Sequence, residues 1–160
     1  MPIDLISENS WNDISRIQEE AYREVPAEEM SCLKKKWISS PGTCLIYTTN
    51  ESSVCAYLLS HPWAGEEPPT LNDNSPIGVG SSTLFLHDLA VSSSSQGKGI
   101  ARTMVESLIL KARSIGFIKI RLVAVQSSDL FWGSFGFKEV ISVTIDSNYG
   151  DSAKLMELTI

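Results

Sequence analysis

The sequence predicts a mixed α/β (α+β) fold with a mostly antiparallel sheet, and three observations lead to that expectation. The first third of the chain carries apolar residues three and four positions apart, which is the spacing of amphipathic helices. Two short runs rich in β-branched and aromatic residues, at 43–49 and 54–60, flank a polar turn as in a hairpin. Farther on, residues 83–125 follow the order strand, helix, strand, which is that of a right-handed crossover unit.

The N-terminal third is expected to form two helices. Ser10 followed three residues later by Asp13 resembles a capping box at the start of the first helix, and Pro26 can begin the second, which Pro41-Gly42 ends. The inward positions are Ile14, Ile17 and Ala21 in the first helix and Met30, Leu33 and Trp37 in the second. The lysine run at 34–36 is expected to be a solvated face and not a binding surface.

The middle of the chain combines a long irregular segment with the clearest helix. Residues 61–82 are rich in Pro, Gly, Asn and Asp and are expected to form a loop, either functional or a surface excursion without a role. A strand at 83–91 then leads into a helix at about 98–115 with a full apolar stripe. Gly116 suits the end of that helix, and 117–125 reads as the next strand.

The C-terminal part is expected to complete the sheet. A short helix is predicted at 127–134, followed by two closing strands at 137–145 and 154–160. These strands are expected to pair antiparallel across a connection at 146–151. The whole length of 160 residues fits one domain, spanning 1–160.

Composition disfavours several classes of protein and ligand. The net charge of −6 disfavours nucleic acid and anionic membranes as partners and mildly favours cationic molecules such as amines. The start of the chain has no secretory pattern, and no apolar run approaches the roughly 18 residues of a membrane span. Three cysteines without C-x-x-C spacing and two histidines favour a reducing compartment without a bound metal, so a cytoplasmic location is expected.

The junction between the strand at 83–91 and the following helix is the most informative stretch. It reads Q-G-K-G-I-A at 96–101, so a glycine-containing turn opens the helix. Amide groups at a helix N-terminus point at one spot, which suits a phosphate or pyrophosphate, and Gly97 and Gly99 let a ligand approach the main chain. The alternative is a turn that merely links strand to helix. Neither a P-loop nor a Rossmann glycine pattern is present.

Two motifs together resemble the GNAT family of N-acetyltransferases. The Q-x-x-G-x-A segment at 96–101, preceded by L-A-V at 89–91, resembles the acyl-CoA-binding motif of that family, and F-W-G-S-F-G-F at 131–137 resembles its closing element. The L-H-D-L-A-V and S-H-P-W stretches also resemble a bacterial subgroup. The resemblance implies the acyl-CoA N-acyltransferase (GNAT) fold, with a mixed, mostly antiparallel sheet of about seven strands flanked by about four helices.

The resemblance also implies a site for acetyl-CoA. The backbone of Leu89, Ala90 and Val91 would bind the pantetheine arm, and the backbone amides at 96–101 would surround the pyrophosphate. Lys98 and Arg102 can add charge near the phosphates. The expected cofactor-binding residues are Leu89, Ala90, Val91, Gln96, Gly97, Lys98, Gly99, Ile100, Ala101, Arg102, Gln126, Phe131 and Trp132. The acceptor would be an amine of a small molecule or a protein, and the chain a monomer or homodimer.

Acetyl transfer needs a group that takes a proton from the amine, and His87 and Asp88 are candidates on the strand that meets the cofactor. Neighbours on a regular strand point to opposite faces, so His87 is expected beside Leu89 and Asp88 beside Leu86. Asp88 is interpreted either as a base or anchor for the amine, or as a structural cap, because a carboxylate among apolar residues is costly to bury. His87 is interpreted as a proton relay or as a packed core residue.

Two further candidates lie where the hairpin gives way to the predicted loop. His61 is interpreted as a residue of the substrate pocket or as a histidine at its rim. Trp63 could hold a cationic or planar substrate by cation–π or stacking contacts, or could pin the loop to the body.

The sequence departs from the family pattern at two positions. Many members carry a tyrosine, which protonates the leaving thiolate, where Trp132 stands, and an indole N–H is not acidic enough to do so. Tyr149, or solvent, could supply that proton. The asparagine that many members place late in the fifth strand is Val125 here, with Gln126 as a possible substitute.

Three functions therefore stay open at the level of sequence. The first is an N-acetyltransferase that transfers acetyl from acetyl-CoA by direct attack of an amine. The second is a non-catalytic sensor of acyl-CoA with the same fold. The third is an unrelated binder of nucleotide phosphates, for which ATP would compete as well as CoA does.

Overall fold

One seven-stranded sheet organises the part of the chain that the computed structural model describes, namely residues 2–21, 28–69, 80–141, 145 and 147–160. Its strands are β1 (Ile3–Leu5), β2 (Leu45–Thr48), β3 (Val54–Pro62), β4 (Thr83–Val91), β5 (Lys119–Ala124), β6 (Lys138–Glu139) and β7 (Lys154–Thr159). Their order is β1-β2-β3-β4-β5-β7-β6, and only β4 and β5 pair in parallel. The predicted mixed, mostly antiparallel sheet is confirmed.

Helices cover both faces of the sheet. Within the described residues they are α1 (Trp11–Ala21), α2 (Met30–Ser39), α3 (Ile100–Ile115) and α4 (Asp129–Gly133). α3 packs on one face against the larger apolar core, which includes Leu84 and Leu86 of β4. α1 and α2 pack on the other face against a smaller core that includes Tyr57 and Leu59 of β3. None of the described helices is long and apolar enough to cross a bilayer.

The predicted apolar stripe is the buried face of α3. Its inward side chains are at most 7% exposed and belong to Ile100, Met104, Val105, Leu108 and Ala112. Burying a large apolar side chain contributes about 1.5–3 kcal/mol, so this face anchors the helix. The helix ends at Gly116, whose φ of 111° only glycine adopts readily and whose amide bonds the Ala112 carbonyl at 3.1 Å.

Several predicted boundaries differ from the structure for local reasons. The capping pair lies three residues earlier than expected, because the Ser10 hydroxyl accepts the Ser7 amide at 3.2 Å and Asp13 instead binds Arg16. The edge strand β1 was not predicted, since three residues are too short for a periodic signal. The described part of the predicted strand at 137–145, which leaves out residues 142–144, contributes β6.

Other predictions fall partly or wholly outside the described residues. Pro26, proposed as the start of a helix, lies there, and α2 begins at Met30. Part of the predicted loop at 61–82 lies there too, namely residues 70–79. The antiparallel pairing of the last two strands is confirmed, since Lys138 pairs with Glu157 and Glu139 with Met156.

Candidate active site

A wedge between β4 and β5 forms the centre of the candidate site. Thr83–Leu86 of β4 pair with Lys119–Leu122 of β5, and the strands diverge beyond these pairs, over the last five residues of β4 and the last two of β5. A cavity of about 890 Å³ fills the divergence and is lined on the β4 side by Leu89, Ala90 and Val91 and on the β5 side by Val123. This volume lies near the upper end of the range for ligand pockets, about 300–1,000 Å³. The wedge can therefore take an extended ligand between the strands.

The glycine turn before α3 closes one end of the same cavity. Gly97 and Gly99 have φ of 77° and 75°, in the left-handed region that glycine adopts readily, and both line the cavity. A Cβ built on either residue would meet no atom within 4 Å, so open space adjoins the main chain there. The first amides of α3 have no partner inside the helix and point toward this end. The residues therefore fit a diphosphate.

A β-bulge at His87 changes which side chains of β4 share a face. Leu59 of β3 pairs with Asp88, but the next residue, Ser60, pairs with Leu86, so His87 has no opposite partner. The expected partition of His87 and Asp88 onto opposite faces is wrong, because a bulged residue interrupts the alternation of a regular strand. Leu86 belongs to the core under α3, whereas Asp88 bonds Tyr57 of the core under α1 and α2.

Asp88 and Tyr57 form a buried polar pair on the α1–α2 face. The Tyr57 hydroxyl donates to Asp88 Oδ2 at 2.7 Å, and Asp88 is 5% exposed while lining the cavity. A carboxylate buried among apolar residues needs such donors. Asp88 is thus held in place and still faces the space where a ligand would bind.

A second polar cluster lies behind the bulge and joins three elements. Glu28, in the segment before α2, contacts His87 Nε2 through its Oε1 and lies 3.8 Å from Lys36 Nζ of α2 through its Oε2. The side chains of Glu28, Lys36 and His87 are 6%, 2% and 0% exposed, respectively. The expectation that the whole lysine run is solvated is therefore wrong at Lys36, which lies one helical turn from the buried Leu33.

His61 adjoins this cluster from β3. It is fully buried inside the strand and not at the start of a loop, and its ring lies 5.8 Å from the rings of His87 and of Phe85. Burial, with His87 and the Lys36 ammonium nearby, lowers the pKa of His61 to about 3, so the ring is neutral at pH 7. Its Nδ1 can then donate to the Pro62 carbonyl at 3.0 Å.

Glu20 connects α1 to the start of the segment between β4 and α3. Its Oε2 accepts the Ser93 amide at 3.0 Å and the Ser92 hydroxyl at 3.1 Å. The Ser93 amide is the largest cause that holds the pKa of Glu20 below its ordinary value. Because Glu20 and Ser93 both line the cavity, this contact ties the α1 wall to the turn that follows β4.

Most of the sequence-predicted residues lie along this one cavity. Those that line it are His87, Asp88, Leu89, Ala90, Val91, Gln96, Gly97, Gly99, Ile100, Ala101, Arg102, Gln126, Phe131, Trp132 and Tyr149. The Tyr149 hydroxyl donates to the Pro69 carbonyl at 2.6 Å, and Trp132 is 7% exposed within the core under α3. The Arg102 guanidinium lies over the Phe135 ring and donates to Ser134 at 2.7 Å.

Three predicted residues lie elsewhere. Lys98 lines a separate cavity of about 510 Å³ beside Tyr47. The Trp63 indole donates to the Glu67 carbonyl at 2.7 Å, which folds the chain after β3 back on itself. His61 lies behind His87 and does not line the main cavity.

Sequence reasoning missed Glu28, Lys36 and Tyr57. Helical phase carries a signal for Lys36, since it lies three residues after Leu33 and four after Cys32, which are both buried. Strand alternation carries one for Tyr57, which shares a face with Leu59. Glu28 precedes α2 without any periodic signal, so only the three-dimensional structure identifies it.

The comparison with protein families identifies the chain. The model of the acetyltransferase (GNAT) family matches residues 11–137, which is most of the chain. The chain belongs to the GNAT family. No curated protein sequence matches it significantly.

Solved GNAT structures share the fold at low sequence identity. Ard1 from Thermoplasma volcanium has a TM-score of 0.78 at 13% identity, covering 99% of this chain and 96% of that chain. The ribosomal-protein-S18-alanine N-acetyltransferase from Escherichia coli has a TM-score of 0.69 at 17% identity, with coverages of 99% and 92%. Arabidopsis thaliana Naa50, in complex with a bisubstrate analogue of CoA, has a TM-score of 0.73 at 12% identity, with coverages of 99% and 97%.

Proposed function

We propose that this GNAT protein transfers an acetyl group from acetyl-CoA to an amine of a small molecule or a protein. The observation that carries the proposal is the continuity of one cavity from the Gly97–Gly99 turn into the wedge beside Leu89, Ala90 and Val91. Amides at a helix N-terminus suit the pyrophosphate, and the edge of β4 that faces away from β3, beyond its pairing with β5, suits the amide-bearing pantetheine arm. A single ligand with both groups matches this shape.

The chain's residues would hold the reactants and move protons. Acetyl-CoA supplies a thioester that is already activated, so holding an amine against its carbonyl provides much of the rate. The main chain near Val91 would polarise that carbonyl. Asp88 would anchor the amine or take its proton, with His87 beside it, and Tyr149 would protonate the departing thiolate. Trp132 would pack against the pantetheine, and Gln126 would replace the missing asparagine.

Direct attack, without a covalent acyl-enzyme, is supported by the placement of the thiols. Cys32, Cys44 and Cys55 are all buried, and none of them lines the cavity. Burial raises the pKa of Cys44 to about 12, so it stays a thiol at neutral pH. No cysteine is thus placed to accept the acyl group from the cofactor.

Calorimetric titration with acetyl-CoA, followed by a free-thiol assay over a panel of amines, tests the proposal. Binding together with amine-dependent thiol release is the expected result. Binding without release from any amine would instead favour the acyl-CoA sensor, which the tryptophan at 132 supports. Competition by ATP as strong as that by CoA would favour a general nucleotide-phosphate binder.

A further inference from the structure

The cavity has two walls of different character. The wall formed by α3 and α4 carries Ile100, Ala101, Phe131 and Trp132, and it adjoins the glycine turn. The wall opposite is formed by α1, which carries Gln18, and by Glu28, which lies two residues before α2, with Asp88 at its base. If the cofactor binds at the turn and the wedge, the second wall is the one that meets the acceptor.

We propose that Glu28 takes the proton from the acceptor amine, and that Lys36 and His87 are positioning residues that hold its carboxylate in place. This inference rests on the proposed acetyl transfer. Glu28 is then the general base, a role for which the sequence offered Asp88 and His87 as candidates.

Exposure separates the three members of the cluster. Glu28 lines the cavity and keeps a 6% exposed side chain. The His87 side chain is 0% exposed although the residue as a whole is half-buried, so its contribution to the cavity surface is its main chain at the bulge. Lys36 is a donor with no acceptor atom and does not line the cavity. Of the three, Glu28 is the group that a bound amine can reach.

The surroundings of Glu28 give its buried carboxylate a countercharge and hold it in place. The Lys36 ammonium supplies a countercharge at 3.8 Å, and the His87 ring contacts the other oxygen. A buried ion pair adds little stability on its own because removing two charges from water offsets their attraction. The arrangement is therefore better explained by chemistry at the cavity than by stability.

Asp88 is left with a different task. Its Oδ2 accepts the Tyr57 hydroxyl, and it lies on the same face of the sheet as His61 and His87. From the base of the wall it can attract the ammonium form of the acceptor while Glu28 removes one proton. The charged and titratable side chains grouped around Glu28 include Glu20 of α1, Lys36 of α2, Tyr57 and His61 of β3, and His87 and Asp88 of β4.

The step balances without a further reactant. The acceptor enters as an ammonium, one N–H proton passes to Glu28, and the nitrogen lone pair forms the bond to the acetyl carbon. The C–S bond breaks, and the sulfur leaves with its electron pair as a thiolate, which takes up one proton. A second proton passes from the nitrogen of a primary amine to solvent, so the product amide keeps one N–H, and Glu28 returns to its carboxylate form by losing its own proton.

The test compares Glu28→Gln with the control Glu29→Gln, and Lys36→Met with the control Lys35→Met, because Glu29 and Lys35 are exposed neighbours of the same types. Glu28→Gln keeps the shape but cannot take a proton, so kcat is expected to fall about 100-fold or more while the Kd of CoA changes less than twofold. Lys36→Met removes the countercharge, so the acidic limb of the kcat/KM profile is expected to move to higher pH. Both controls should match the wild type.

Glu28→Gln leaves Lys36 buried without its countercharge and can therefore misfold. The double variant Glu28→Gln/Lys36→Met separates misfolding from loss of the base. This variant removes both charges and is expected to bind CoA normally and stay inactive. A kcat within threefold of wild type in either variant, with the acidic limb unchanged, would overturn the assignment. So would loss of that limb in Asp88→Asn alone. Lack of amine-dependent thiol release from the wild type would overturn the acetyl transfer itself.

Discussion

The glycine turn before α3 offers the sharpest test of the cofactor site, through the substitution Gly99→Ala. Gly99 precedes the first residue of α3 with φ of 75° and lines the cavity, and a Cβ there meets no protein atom within 4 Å. Gly116 at the other end of the same helix has φ of 111°, meets no atom either, and does not line the cavity. Gly116→Ala is therefore a matched control for backbone strain.

The two variants are expected to lose similar stability but to differ in cofactor binding. A non-glycine residue held in the left-handed region costs about 1–3 kcal/mol, and each kcal/mol lowers Tm by about 2–4 °C in a domain of this size. At Gly99 the added methyl also fills the approach to the amides. Losing one charge-assisted hydrogen bond, about 1.5–3 kcal/mol, weakens CoA binding about 10- to 150-fold.

Thermal unfolding and calorimetric titration with CoA measure the two effects separately. The expected result is a similar fall in Tm for both variants and a loss of CoA affinity in Gly99→Ala alone. Equal CoA affinity in the two variants would refute the placement of the pyrophosphate at this turn.

Three further substitutions probe α3, the C-terminal connection and the buried histidine. Ala101→Glu places a carboxylate in the first turn of α3 and is expected to weaken CoA binding at least tenfold by charge repulsion; unchanged affinity in a titration would count against the site. Tyr149→Phe is expected to lower kcat about 100-fold and to remove the alkaline limb of the pH profile of kcat. An unchanged kcat would mean that the hydroxyl only hydrogen-bonds Pro69. Because the pKa of His61 is lowered to about 3, the unfolded chain binds a proton on this ring between pH 6.5 and about 3 that the folded chain does not. Acidification within that window therefore lowers the free energy of unfolding by up to about 1.4 kcal/mol per pH unit. His61→Phe is expected to flatten this slope in urea unfolding measured from pH 7 to pH 4.5. An unchanged slope would mean that another group causes it.

Features with strong local signals were predictable from the sequence. The apolar stripe and the terminal glycine of α3, the alternation of β4 up to Leu86, and the hairpin of β2 and β3 all depend on neighbours in the chain. The family followed from two motifs and is confirmed by the family model over 11–137. Such features can be predicted because the local secondary-structure preference of the sequence agrees with the final fold.

The parts that escaped prediction depend on contacts distant in sequence. The bulge at His87 contains no glycine that would indicate it in the sequence. Because of it, His87 and Asp88 do not lie on the opposite faces of β4 that strand alternation predicts. Lys36 is buried because it contacts Glu28, whereas Lys35 in the same run is exposed and Lys34 is half-buried beside Glu8. A pairing between residues 28 and 87 cannot be read from periodicity in a single sequence.

The divergence of β4 and β5 has a mechanical consequence. Four residue pairs form the seam between the β1–β4 half of the sheet and the β5–β7 half. Beyond them the halves are bridged by side chains of α3, such as Met104 and Leu108, which pack in the core that both halves share. A ligand inserted in the seam would add a third bridge. We therefore expect amide hydrogen exchange in β4 and β5 to slow when CoA is added. We also expect core substitutions in α3 to weaken CoA binding as they lower the stability of the fold.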